Sequence, residues 1–167
     1  MTHELRPALL SVLHDLPNVA MIAYDRYLGV VGATRVAKAL HPIYTPGTNI
    51  ARFTYLDGAT NPDLADWGQK ADFIAATLRS SLTRHPEDDK FLDLVGQLIA
   101  GSEVFAESWA RTSAAANESA ILIRHPEEGD MWLNQRQFPL GAGSEDTLVI
   151  WTGADDESTG KLGRLSR

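Results

Sequence analysis

The chain has 167 residues, 44% of them apolar and 22% charged, with a formal net charge of −7 and no cysteine. That composition suits one globular domain, long enough to bury roughly 70% of its unfolded surface, and argues against disorder and against a two-domain split. Disulfides, thiolate metal sites and cysteine nucleophiles are excluded, and the negative balance speaks against a direct grip on nucleic acid, whose phosphates need a basic surface. The longest uncharged apolar stretches, such as 19–24, are far too short to span a bilayer. The opening Met1-Thr2-His3-Glu4-Leu5-Arg6 lacks the apolar core of a signal peptide. A soluble, cytoplasmic protein with no membrane partner is expected.

A first helix is predicted over about residues 6–15, with Pro7 tolerated near its start, Leu9, Leu10 and Leu13 on its apolar side and Pro17 as its stop. Residues 19–24 form a short apolar run typical of a buried strand. Asp25-Arg26-Tyr27 then turns the chain into a second strand over 28–32. A short helix follows around 35–40, and then a punctuated loop from His41-Pro42 to Pro46-Gly47. Asn61-Pro62 opens the clearest helix, Asn61 as N-cap and Pro62 in the first turn, with Leu64, Trp67, Ala71, Ile74, Ala75, Leu78 and Leu82 at steps of three and four. His85-Pro86 separates it from a helix whose face is Phe91, Leu94, Val95, Leu98 and Ile99. Gly101-Ser102 makes a break and a cap before a third helix with Phe105 and Trp109. The last third reads as strands over 120–124, 131–138 and 147–152, and residues 158–167 read as a frayed end. Strands at both ends with helices between predict an α+β fold: one antiparallel sheet with its helices gathered on one face. No Gly-rich phosphate loop follows a strand, which argues against a dinucleotide fold.

Candidate functional residues are sparse. Asn49 and Arg52 are a polar pair three residues apart, flanked by Ile50 and Phe53, and residues at that spacing share a helix face. A long cation beside an amide among apolar neighbours suits a small anionic headgroup. The competing structural reading has Asn49 capping a short helix and Arg52 paired with Asp57 or Asp66. Trp67, Phe105 and Trp109 either line a ligand tunnel or fill the core, and in a pocketed domain both hold. Trp132 and Trp151, on predicted strands, carry the same two readings. His3, His14, His41, His85 and His125 show no metal-ligand spacing. Three of the five precede proline, which places them at turns or element ends. Glu87-Asp88-Asp89 reads as a helix first turn and Asp155-Asp156-Glu157 as a solvated tail. No serine lies in a nucleophile elbow and no His–acid pairing follows from spacing. Neither catalysis, nor a metal, nor a cofactor is therefore expected.

The order of short motifs is more specific than any one of them. Asn49-x-x-Arg52-Phe53, Leu56-Asp57, Asp66-Trp67, Leu78-Arg79, His85-Pro86-x-Asp88, Leu94-Val95, Ser102-x-x-Phe105-x-x-x-Trp109 and His125-Pro126 with Gly129 follow one another. Over about 16–155 the chain thereby resembles the MmyB-like ligand-binding domain, the C-terminal sensor of XRE-type helix-turn-helix transcription regulators of bacteria. The resemblance implies a PAS-like fold, a five-stranded antiparallel sheet packed with helices. It also implies an apolar pocket, in which a fatty acid has been seen in a family member. Three departures stand out. The DNA-binding helices with which family members usually begin are missing, so the chain is read as an excised domain or a stand-alone relative. Val31-Gly32-Ala33 stands where the family has Ala-Trp-Asn, and Thr112-Ser113-Ala114 where it usually has His-Asp-Val. The last two departures are expected to enlarge the pocket or change its polarity.

The expectation is thus a single non-enzymatic ligand-sensing domain over 1–167, with Asn49, Arg52, Phe53, Trp67, Phe105 and Trp109 at its ligand site. It would take a fatty acid or similar apolar ligand, form a homodimer, and meet DNA only through a helix-turn-helix domain not in this chain. The alternatives are a small α+β enzyme or lipid carrier using the same pocket, and a module that only dimerises.

Overall fold

The computed structural model describes residues 5–57, 67–111, 118–141 and 144–167. Five strands, β1 (Ala20–Tyr24), β2 (Val30–Ala33), β3 (Glu118–His125), β4 (Gly129–Pro139) and β5 (Thr147–Gly153), form one sheet in the order β2-β1-β5-β4-β3. All four pairings are antiparallel. The last strand returns to the middle and joins the N-terminal hairpin to the C-terminal one. This is the α+β, PAS-like sheet that the sequence predicts.

Successive strand side chains point to opposite faces, and the two faces have different fates. Ala20, Ile22 and Tyr24 of β1, Val149 and Trp151 of β5, Met131 and Leu133 of β4 and Ile123 of β3 join the main core. Four helices bury their apolar stripes in that same core: α2 (Arg35–Leu40), α4 (Trp67–Arg84), α5 (Asp89–Gly101) and α6 (Glu103–Ala110). On the outer face Met21 and Ala23 pack only against Leu9 and Leu13 of α1 (Leu5–Asp15), with Val31, Leu140, Leu148 and Ile150 around them. The helices therefore gather mainly on one face, as expected.

Caps set the helix starts. Thr34, Asp88 and Ser102 each accept a hydrogen bond from a first-turn backbone N–H, of Ala37, Phe91 and Phe105, an exchange worth about 1 kcal/mol per cap. The expected Asn61-Pro62 start of α4 lies outside the described residues. The three His-Pro histidines do sit at element ends. His41 caps a 3-10 turn (Pro42–Tyr44), His85 follows α4, and the His125 ring accepts from the amides of Glu127 and Glu128.

Two expectations need correction. Residues 158–167 are not frayed, and Asp155-Asp156-Glu157 is not a solvated tail. Asp155 caps α7 (Asp156–Arg164) by accepting from Ser158 N at 2.6 Å. Acids in the first turn and Lys161 and Arg164 in the last complement the helix dipole. The helix docks through buried Ser158, whose hydroxyl accepts from Trp132 N at 2.9 Å, and through Leu162 and Leu165 on the main core. A methyl at Gly153 would stand 2.4 Å from Thr159 N, so the glycine permits this approach. Gly32 likewise does not open space towards the inner face. A methyl there would meet Leu10 and Leu13 of α1 at 2.5 and 2.8 Å, so the room it leaves is filled from the outer side. Residues 112–114, the other departure, lie outside the described residues.

The β1–β2 turn anchors the site described next. Leu28 lies in the left-handed region at φ 64°, costly for a branched side chain. Its side chain is buried in the core, and the Asp25 carboxylate accepts from Tyr27 N and Gly29 N at 2.9 Å each.

Candidate ligand site

The segment that carries Asn49 and Arg52 is a short helical turn, α3 (Ile50–Arg52), continuing as a π-helical turn over Phe53–Asp57. Asn49 is extended at φ −92°, ψ 118° and caps it: Oδ1 accepts from Arg52 N at 3.0 Å. Its Nδ2 donates to the Tyr27 carbonyl at 2.7 Å. One end of the amide thus caps the segment, the role weighed from the sequence, and the other pins it to the β1–β2 turn. Arg52 is exposed, and its guanidinium donates to Gln97 Oε1 on α5 rather than to Asp57. Asp66 lies outside the described residues.

Phe53 points a different way. Its ring meets the buried His41 edge-on with centroids 5.9 Å apart, and His41 in turn meets Tyr44 at 6.3 Å. Tyr44 packs on Trp151 of β5 at 4.5 Å. Below it the Trp151 indole N–H donates to Gln135 Oε1 on β4 at 2.9 Å, and the Tyr24 hydroxyl donates to Gln137 Oε1 at 2.9 Å. Met131 and Leu133 fix the parity of β4, so Gln135 and Gln137 lie on the inner face too.

Phe105 and Trp109 form a second aromatic group. Phe105 is fully buried, edge-on to Tyr55 at 4.9 Å and stacked with Trp109 at 5.7 Å. Tyr55 donates its hydroxyl to Ala71 O at 2.7 Å. The Arg79 guanidinium lies 4.2 Å over the half-buried Trp109 ring and donates to the Trp109 carbonyl, a cation–π contact that also ties α4 to α6. Trp67 is the first residue of α4, and its side chain lies outside the described residues. The predicted site residues are thus brought into three places: Asn49 and Arg52 near the surface, Phe53 beside His41 and Tyr44, and Phe105 with Trp109 under the helices. Trp151, left open between core and lining, is buried in the main core, while Trp132 is on the outer face and 44% exposed.

Electrostatics make the interior neutral. Burial pushes the Tyr24 phenol up to about 12 and drives Tyr44 and Tyr55 further above the ordinary range, so all three stay protonated and act as donors, not bases. Among the described residues no group of acids, histidines or cysteines could hold a metal. The charged network lies at the rim instead. Arg26 donates to Glu145 and Asp88, the Tyr27 hydroxyl donates to Asp88 at 2.7 Å, and His85 Nε2 meets Glu145. This network joins the β1–β2 turn, the β4–β5 loop and the α4–α5 turn.

Tyr44, His41 and Gln135 were not singled out from the sequence as ligand-site residues. Gln135 carried a signal, a polar residue at the parity of Met131 and Leu133, but that parity acquires meaning only once the buried face is known. Tyr44 carried none beyond its place in the punctuated loop.

The sheet is closed on one side by helices over an aromatic interior, with charged pairs at the rim, an α+β architecture of the PAS-like kind. The MmyB-like transcription regulator ligand binding domain family model matches residues 5–165, and the chain belongs to that family. The family is one of regulator domains rather than of enzymes. Comparison with curated proteins returned no match. Among the described residues no helix is long and apolar enough to cross a membrane.

Proposed function

We propose that residues 1–167 act as one sensory unit of a bacterial transcription regulator, binding a fatty acid or similar apolar small molecule without transforming it. One observation carries this reading: Tyr44 with Trp151 and Tyr55 with Phe105 and Trp109 line a single core between sheet and helices. Phe53, Trp67, Phe105 and Trp109 would meet the chain of the ligand. Arg52, exchanging its bond to Gln97, would take a carboxylate headgroup at the rim, with Asn49 holding the segment that presents it. Ten buried methylenes contribute roughly 8 kcal/mol, against an association cost of about 4 to 15 kcal/mol. A charge-assisted contact from Arg52 adds about 1.5 to 3 kcal/mol, so the tail sets affinity and the headgroup sets orientation.

Signalling requires the ligand to favour one of two domain arrangements. A cytoplasmic homodimer, meeting DNA through a helix-turn-helix domain outside this chain, suits the paired half-sites such regulators read. Mass spectrometry of an organic extract of the purified protein tests the reading. A stoichiometric fatty acid is expected. An empty extract, with no thermal shift on adding a fatty-acid panel, would overturn it. Arg52→Ala should weaken binding of a fatty acid roughly 10- to 150-fold, and an unchanged affinity would remove Arg52 from the site.

A further inference from the structure

Trp151 and its neighbours hold a set of hydrogen-bonding groups that the folded chain does not use. Ala20, Trp151, Gln135 and Ser119 lie in one row across β1, β5, β4 and β3, each opposite the next. The indole N–H can only donate, so the atom of Gln135 it meets at 2.9 Å is the carbonyl oxygen. That fixes the amide orientation and leaves both Nε2 hydrogens without a partner among the described residues. The Tyr44 hydroxyl, 4.5 Å ring to ring from Trp151, and the Ser119 hydroxyl also have none there. Among the described residues every side-chain N or O sealed from solvent has a partner. The unpartnered Tyr44 hydroxyl therefore keeps accessible surface, and the residue is half-buried. Burial nonetheless holds its phenol far above the ordinary range.

We propose that Tyr44, Gln135 and Ser119 form a subsite for an uncharged hydrogen-bond acceptor on the ligand, a ketone, ester or amide oxygen carried on an apolar chain. This rests on the reading of the domain as a ligand-binding unit and narrows the ligand class. Two hydroxyls and an NH₂ of fixed orientation are thus grouped around Trp151, Tyr44 on its ring, Gln135 on its indole N–H and Ser119 opposite Gln135, and each can donate. None of the three carries charge, so an ionised carboxylate seated there would be buried without a counter-ion, which is disfavoured. The acid end of a ligand belongs at Arg52, and a neutral oxygen belongs here. A site built to hydrogen-bond an oxygen discriminates against the analogue that lacks it, because its donors are then left unpaired.

Calorimetric titration of the protein with tetradecan-2-one, 1-tetradecene and tetradecanoic acid tests this. The ketone should bind about 5- to 100-fold more tightly than the alkene. Tyr44→Phe should erase most of that margin with no loss of alkene affinity or of Tm, since the hydroxyl has no partner among the described residues and the alkene no longer strands it. Gln135→Glu keeps an acceptor for the indole but removes the donor and adds a charge, and should reject the ketone. Equal binding of ketone and alkene to the wild type, or an unchanged ratio in Tyr44→Phe, overturns the subsite while binding of the acid keeps the sensory reading. Failure of all three probes to bind the wild type overturns both.

Discussion

On the inner face of β4, Met131 and Leu133 have no accessible surface, whereas on its outer face Trp132 is 44% and Phe138 46% exposed. The strand alternates apolar residues on both faces at this end, and nothing in its own sequence ranks them. What differs is cover. Among the described residues four helices and the end of α7 close the inner face, and α1 alone lies on the outer one, over β1 and β2. Apolar character thus reports core packing on one side and an open surface on the other.

The sharpest way to break this contrast is to truncate one aromatic on each side. Phe105→Ala, at a fully buried position, should cost about 3 to 5 kcal/mol in urea unfolding. A loss under about 1 kcal/mol would mean that the interior under α6 is already open.

Acid comes next, because several carboxyls of the rim and of the helices are held ionised by partners in the folded state. Burial pushes the Glu145 carboxyl up, but Arg26 and His85 more than offset this, so its pKa is lowered. The Arg111 side chain lowers Asp72 and the Tyr27 hydroxyl lowers Asp88. Carboxyls depressed in the folded state add stability that is complete above the ordinary carboxylate pKa of about 4 and is lost as pH falls below it. Tm should therefore be flat from neutral pH down to about 5 and then drop. Arg26→Ala should lower Tm at neutral pH and make the acid drop shallower, because Glu145 and Asp88 then have less stabilisation to lose on protonation, and superimposable profiles would show that the network contributes nothing.

A smaller effect is expected at the C-terminal helix. Asp155→Ala removes the cap and should cost about 1 kcal/mol, with loss of helical circular dichroism if α7 undocks. The smallest belongs to the outer face, where Trp132→Thr should change stability by no more than about 0.5 kcal/mol. The same variant sharpens the comparison by gel filtration: a homodimer formed through this face would dissociate, and one formed elsewhere would not.

How much could be read in advance follows the range of the forces involved. Caps act over three residues, so Ser102 and the capping role of Asn49 were legible locally, whereas Asp88, read as part of a helix first turn, is the cap itself. The apolar stripes of α4 and α5 were legible for the same reason. The C-terminal helix was not, because its Ser, Thr and Gly content argues against it and its docking depends on Gly153 and Trp132, strands away. Arg52 was expected to find an acid nearby in sequence and instead meets Gln97, 45 residues on.

The sequence by itself determined the α+β class, the order of the elements up to the last strand, the cysteine-free chemistry and the family, because periodicity, caps and motif spacing are carried within short stretches. Only the tertiary structure decided which face of the sheet is covered, that Gln135 and Tyr44 meet at Trp151, and that Arg52 stands at the surface. Those relations join residues up to about a hundred positions apart, and register and helix cover exist only once the whole chain has packed.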